Sequence, residues 1–349
     1  MATEKQSVIT SSIDAFTDLI EKHGRAMMEK AVEQVLDSNY KSGVVSSASK
    51  YHVKFLRDVL PTVPALMTLS CEVAGGKKEK PIGIGAALTL FVEAANIHDD
   101  IIDQTIIKHK RKTTFGKFGT DITLLAGDFL LVQAALSLFE ECESLPSEQK
   151  NKIIELTFQA LSKISKSAAE ETKMRRKIDT LPQDYLQIVR LRAAVPEIHC
   201  MIGGILGGGT KSMISCLGNY GRNYGIVGTI IDEFMDLFDY QKFSNRLCNE
   251  CIPLPVLCAL QNTTIKEKIA PIIKGFTLSK NDYSQIVKLV MNSNEVEKLR
   301  KDLLLLPLNS NLQIIKNFKE NTARRDLSTI LKVLEGLLSN LNEFTNQTI

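Results

Sequence analysis

Residues 96–103 read Asn-Ile-His-Asp-Asp-Ile-Ile-Asp. On a helix, Asp99 and Asp103 lie one turn apart on one face, with Asp100 beside them. Three carboxylates this close repel each other, while Ile97, Ile101 and Ile102 hold the same helix in a core. Such a cluster is costly unless cations neutralise it. An oxygen-only donor set suits a hard ion, and Mg²⁺ keeps several waters and adds substrate phosphates. A second cluster follows in 230–240, Ile-Ile-Asp-Glu-Phe-Met-Asp-Leu-Phe-Asp-Tyr. There Asp232, Asp236 and Asp239 fall at i, i+4 and i+7, an acidic stripe on an otherwise apolar helix. The run Lys108, His109, Lys110, Arg111, Lys112 comes directly after the first cluster and offers cations to phosphate oxygens. Acid, metal and base together point to Mg²⁺-assisted diphosphate chemistry, with the two aspartate helices facing each other across one cavity. The plain alternative is two solvated acidic faces.

The elements that must position these groups are helical. Residues 12–37 carry Ile13, Phe16, Leu19, Ile20, Met27, Met28, Ala31 and Val35 near one stripe. Further helices are expected over about 82–107, 118–142, 148–178, 182–206 and 212–240, with shorter ones in 255–303 and a last one at 324–345. The basic segment 108–117 reads as the connection between two of them. Pro61, Pro64, Pro81, Pro146, Pro182, Pro253, Pro255, Pro271 and Pro307 are expected at helix ends. No β-branched alternation or Asn-Gly hairpin marks a strand. The cluster Gly203, Gly204, Gly207, Gly208, Gly209 reads as a helix end and turn, not a phosphate loop. The fold expected over 1–349 is all-α, one large helical domain, which a resemblance given below makes a bundle around a deep cavity.

Composition narrows the function classes. Of 349 residues, 44% are hydrophobic and 24% charged, which excludes wholesale disorder. Lys plus Arg is 43 against 40 Asp plus Glu, so the net charge of +3 makes no electrostatic case for nucleic acid. Seven cysteines scattered over this length are no disulfide scaffold. With no apolar leader at the N-terminus and no run of 18 apolar residues, a cytoplasmic location and no transmembrane segment are expected.

Asp-Asp-Ile-Ile-Asp at 99–103, Phe118-Gly119, Leu-Ala-Gly-Asp-Phe-Leu at 125–130, and Gly-Arg-Asn-Tyr-Gly-Ile at 221–226 leading into Asp232–Asp236 resemble the trans-isoprenyl diphosphate synthases. These are the polyprenyl synthetases, which include the farnesyl and geranylgeranyl diphosphate synthases. The resemblance runs from about residue 40 to 320. It implies a bundle of long helices, a homodimer or a heterodimer with a homologue, and three Mg²⁺ held by Asp99, Asp100, Asp103, Asp232 and Asp236 on an allylic diphosphate. It also implies condensation with isopentenyl diphosphate, extending the chain by one C5 unit.

Carried over residue by residue, the match is uneven. Lys54 and Arg57 keep the Lys-x-x-Arg spacing for isopentenyl diphosphate, but His52 and Val53 stand where glycines are usual. The usual Arg-Arg-Gly reads Lys108-His109-Lys110, with Arg111 next. A Lys-Thr pair reads Arg192-Ala193, with Arg192 in the catalytic set alongside the first aspartates. Glu233 replaces an aspartate, Thr229 a glutamine, Val92 a His or Gln, and Cys251 a lysine. Phe91, Ala94 and Ala95 precede Asp99 on the helix the growing chain runs beside. Small residues at 94 and 95, with Phe91 as floor about 12 Å down the axis, imply a product of about C20.

Other features read as structural. Cys248-x-x-Cys251 lacks a second ligand pair for zinc. His98 is expected to orient a carboxylate, and 173–177 to be a solvated basic helix face. Two other functions fit the same fold. A non-catalytic subunit is favoured by the altered cationic positions. A class I terpene cyclase is disfavoured because Asp232–Asp236 lacks the Asn/Asp–Ser/Thr–Glu pattern.

Overall fold

The computed structural model describes residues 2–37, 43–108, 110–275 and 278–341, with side chains in the first helix from Asp14. It is helical as expected. The helices α1 (Ala2–Leu36), α2 (Val44–Val53), α3 (Thr62–Val73) and α4 (Ile82–Ile102) precede a two-stranded hairpin, β1 (Ile107–Lys108) and β2 (Arg111–Lys112). Then come α5 (Thr114–Glu141), α6 (Ser147–Met174), α7 (Pro182–Arg192), α8 (Ala194–Leu206) and α9 (Lys211–Leu237). The chain continues through α10 (Tyr240–Asn249), α11 (Leu254–Ala259), α12 (Thr263–Lys274), α13 (Lys280–Met291), α14 (Asn294–Asn317) and α15 (Thr322–Ser339).

Backbone proximity groups the described residues into two compact units. One takes the described residues within 1–161, 195–221 and 314–329, the other those within 162–194, 222–313 and 330–341. In the first unit α4 packs on α5 and α1. It buries Ile84, Leu88, Leu90, Phe91 and Ile97, each large side chain contributing about 1.5–3 kcal/mol. Gly127 permits the close α4–α5 approach, because a Cβ there would lie 2.4 Å from His98 Nε2. The Nε2 of that histidine lies 3.4 Å from Asp128 Oδ1 across the helix pair without a hydrogen bond between them. In the second unit α11 packs on α7 and α13.

Several boundaries differ from those expected. Helix α4 stops at Ile102, five residues early, in a Schellman turn. Gln104 takes a left-handed φ of 54°, its N–H donates to Ile101 O at 3.2 Å, and Thr105 N–H donates to Asp100 O at 2.9 Å. This turn needs a left-handed residue, and a glutamine there gives no glycine signal. The expected 182–206 helix is split at Ala193. Pro196 has no N–H for the Arg192 carbonyl and its ring crowds that oxygen. Pro271 and Pro307 sit inside α12 and α14, not at their ends. Each removes one helical bond, and burial of Ile269, Ile273 and Leu303 offsets the loss. The segment 108–117 is no plain connection, since it holds the hairpin and the first turn of α5. The glycine cluster does end α8 in a turn. Residues 342–345 of the expected last helix lie outside the described residues.

Among the described residues, α5 is long and apolar enough to cross a membrane by length and composition, with 39% of its most apolar window buried. Helices in the cores of soluble proteins pass the same criterion. Leu124, Leu125, Leu131, Val132, Leu136 and Phe139 lie exposed along it.

Candidate active site

The first unit carries Asp99, Asp100 and Asp103 at the carboxyl end of α4, and the second carries Asp232 and Asp236 at the carboxyl end of α9. That end of a helix is its negative pole, where carboxylates are disfavoured and a cation is favoured. Both motifs therefore present oxygen donors where the backbone also asks for positive charge. This is the observation on which the donor set fits Mg²⁺.

Asp99 and Asp103 are half-buried, whereas Asp100 is buried and turned toward the basic hairpin. Lys108 Nζ stands 3.6 Å from Asp100 Oδ1. Burial raises the Asp100 carboxyl above its ordinary range, and Lys108 and then His52 oppose that rise. The hairpin is pinned from both sides. Thr113 Oγ1 donates to Thr105 O at 2.6 Å and accepts from Gly116 N–H at 2.9 Å, so one hydroxyl closes the loop and caps α5. Tyr51 Oη donates to Lys112 O at 2.8 Å. Arg111 pairs with Asp58 at 2.7 Å and lies 4.3 Å over the Phe55 ring.

Between these groups is a cavity of about 380 Å³ whose wall includes His52, Glu93, Asp100, Lys108, Arg111 and Thr114. His52 was read only as a departure from glycine, yet it organises this wall. Its Nε2 lies 2.8 Å from Glu93 Oε2 and its Nδ1 3.2 Å from Thr114 Oγ1. A buried histidine where close-packed glycines are usual was the one signal for it. Lys54 and Arg57 are exposed on the short 3-10 helix Lys54–Asp58 and are not among the residues lining the cavity. Arg57 pairs with Glu29 at 3.2 Å. Lys110 is exposed at the hairpin turn with a φ of 63°, and His109 lies outside the described residues.

Phe91 and Ala94 are buried in α4, and Val92 and Ala95 are half-buried. Helical spacing puts Ala95 (i−4) and Val92 (i−7) directly below Asp99, with Phe91 turned about 80° aside. Phe91 stacks edge-on against Phe158 of α6, ring centroids 6.2 Å apart.

In the second unit, Thr229, Asp232 and Asp236 share a face of α9 at i, i+3 and i+7. Asp232 is reached by solvent yet recessed among protein atoms. Desolvation first, and then the charge of Asp236, push its carboxyl up to about 6. Glu233 points the other way, 1% exposed, and is fully engaged. Its Oε1 accepts from Tyr185 Oη at 2.5 Å and its Oε2 from Leu254 N–H at 2.7 Å, with Arg246 Nη2 3.4 Å from Oε1. Glutamate in place of aspartate is thus used as an internal anchor. Arg192 pairs with Glu171 of α6, and the Cys251 thiol donates to Glu171 O at 3.2 Å.

The polyprenyl synthetase family model matches residues 61–290, covering both aspartate motifs. The chain belongs to the polyprenyl synthetase family. A geranylgeranyl diphosphate synthase of Sulfolobus acidocaldarius is 26% identical over 286 residues, 82% of this chain and 80% of that protein. One from Saccharolobus solfataricus is 24% identical over 180 residues, 51% of this chain and 54% of its own length. Among solved structures, the geranylgeranyl pyrophosphate synthetase of Pyrococcus horikoshii superposes with a TM-score of 0.79 at 22% identity, covering 92% of this chain and 98% of that one. A Streptomyces coelicolor polyprenyl synthetase gives 0.81 at 17% identity, covering 91% and 99%. At that identity the structural likeness speaks for the shared fold. In this polyprenyl synthetase, as in its family, Mg²⁺ is the expected metal.

Proposed function

We propose that this polyprenyl synthetase condenses isopentenyl diphosphate with an allylic diphosphate to give geranylgeranyl diphosphate, with Asp99, Asp103, Asp232 and Asp236 holding up to three Mg²⁺. The observation that carries this reading is the aspartate motif at the carboxyl end of α4 with a basic-walled cavity beside it, and the chain carries a second aspartate motif at the carboxyl end of α9. When bound, Mg²⁺ neutralises the diphosphate so that the allylic C–O bond can break. The isopentenyl double bond then forms the new C–C bond, and a proton is lost to restore the alkene. Lys108 and Arg111 bind diphosphate oxygens at the cavity, and Asp100 holds Lys108 in place rather than ligating metal. Lys54, Arg57 and Lys110 offer further charge to diphosphate oxygens, and Arg192 and Thr229 are further substrate-contact residues. In this reading Ala95 and Val92, below Asp99 on α4, give the carbocation apolar neighbours. A second copy of the chain, or a homologue, covers the exposed apolar face of α5.

Labelled isopentenyl diphosphate, allylic primers and Mg²⁺ with the pure protein test the reading, and absence of any elongated product overturns it. Product length is expected at C20. Ala95→Phe places a ring directly below the metals and is expected to shorten the product. Phe91→Ala opens the floor and is expected to lengthen it. Ala94→Phe is expected to shorten the chain as well, at a packing cost of about 1–3 kcal/mol because Ala94 is buried. Chromatography of the dephosphorylated products decides, and an unchanged length in Phe91→Ala moves the floor to another helix.

Neutralising the hairpin gives a separate test. Lys108→Gln with Arg111→Gln is expected to raise KM for a diphosphate substrate about tenfold or more, since each charge-assisted bond is worth about 1.5–3 kcal/mol. Thermal stability should move little, because both side chains are exposed. An unchanged KM for both substrates would reassign the hairpin to a solvated loop.

A further inference from the structure

The hairpin between α4 and α5 has two faces. Ile107 pairs with Lys112 and Lys108 with Arg111. Residues directly opposed across two strands share a face, and successive ones alternate. Lys108 and Arg111 make the inward face: they border the cavity and are already paired, with Asp100 at 3.6 Å and Asp58 at 2.7 Å. Ile107 and Lys112 make the other face. Ile107 is 64% exposed and Ile106, just before it, 55%. Neither isoleucine lines the cavity. Lys112 borders the cavity as well, but it is exposed, as is Lys110 at the turn. Single exposed isoleucines are ordinary, whereas an adjacent pair set among cations is a pattern of its own.

Charge says what such a face fits. From Gln104 to Gly119 the chain has Lys108, Lys110, Arg111, Lys112 and Lys117 and no Asp or Glu, so the complementary surface is anionic. Size narrows it further. A specific protein interface takes about 800 Å² from each partner, and two isoleucines on a ribbon of two residues a strand offer far less. A bilayer interface sets no such minimum and asks for no matching shape, since it accepts short apolar groups flanked by lysines. We propose that this face of the hairpin docks on an anionic lipid bilayer, with Ile106 and Ile107 entering the headgroup layer and Lys110 and Lys112 meeting lipid phosphates. Because the other face of the same hairpin walls the cavity, docking holds the cavity beside the lipid. That suits a product with a long hydrocarbon tail, a benefit that rests on the reading of the product as geranylgeranyl diphosphate. The contact is weak and reversible, because so small an apolar group with a few lysines falls short of permanent anchoring.

Co-sedimentation of the full chain with vesicles tests it, one set of phosphatidylcholine alone and one of phosphatidylcholine and phosphatidylglycerol in equal parts. At low salt the chain is expected to bind the second set about tenfold or more tighter than the first, and to lose that preference at high salt. Ile106→Ser with Ile107→Ser is expected to weaken binding about tenfold or more. Its melting temperature and its turnover without vesicles are expected to stay unchanged, because both side chains are exposed and lie outside the cavity. Lys112→Gln is expected to weaken binding about fivefold, the share of one lysine at such a surface. No sedimentation with the anionic vesicles overturns the proposal. Full vesicle binding in the isoleucine variant also overturns it: the contact then belongs to another surface, and a smaller oligomer in that variant would make the hairpin face an interface between copies of the chain. Absence of prenyl transfer bears on the function reading alone, because sedimentation does not depend on turnover.

Discussion

Asp99→Ala and Asp103→Ala are each expected to lower prenyl transfer about a thousandfold or more while leaving the fold intact. A metal ion supplies several kcal/mol of stabilisation to the departing diphosphate, and each 1.4 kcal/mol is about a factor of ten in rate. Neither substitution opens a core cavity, because both carboxylates are half-buried at the end of α4. Removing negative charge from a helix's carboxyl end also relieves an unfavourable interaction of about 0.3–1 kcal/mol. The melting temperature should therefore hold or rise slightly as turnover collapses. Steady-state kinetics with and without EDTA, alongside a melting curve, separates the two effects. Full activity in EDTA, or in either variant, removes the metal reading. A parallel fall in activity and melting temperature would make the aspartates structural instead.

Arg246→Met should be the most destabilising single change in the second unit. Arg246 is 7% exposed and compensates Glu233, which is 1% exposed and stays buried when its partner is gone. Breaking a buried ion pair from one side costs about 3–5 kcal/mol. In a protein of this size that lowers the melting temperature by roughly 4–7 degrees. Glu233→Gln combined with Arg246→Met should recover most of the loss, since replacing both members of a buried pair is often neutral. Tyr185→Phe should cost less, about 1–2 kcal/mol, because Glu233 keeps its bonds to Leu254 N–H and Arg246. A loss under about 1 kcal/mol in Arg246→Met would show that the network does not hold the second motif.

The helical class, the run of long amphipathic helices and the two aspartate motifs were legible in the sequence. They rest on local spacing: 99 and 103, or 232 and 236, fall on one helix face wherever the helix sits. The chemistry of the donors is equally local, since oxygen-only ligands beside a lysine-rich segment imply a hard metal and phosphate. The motif order at 99–103, 125–130 and 221–226 was enough to suggest the family, and the family model spanning 61–290 bears it out.

What the tertiary structure alone decided is which neighbours those residues meet. The turn at Gln104 sends the chain back so that Lys108 Nζ comes 3.6 Å from Asp100 Oδ1, a neighbour the spacing of the aspartates does not reveal. His52 joins Glu93 from 41 residues away, and Tyr185 joins Glu233 from 48. Neither pairing leaves a periodic trace in the sequence. Arg246 belongs to no motif in the sequence, yet packing buried it between carboxylates. Pro271 and Pro307 looked like stops, yet burial carried helices through them. The physical reason is common to all of these. Helix periodicity and metal preference are set within a few residues, whereas burial, counter-ion choice and the fate of a costly local bond depend on contacts made only when distant segments pack.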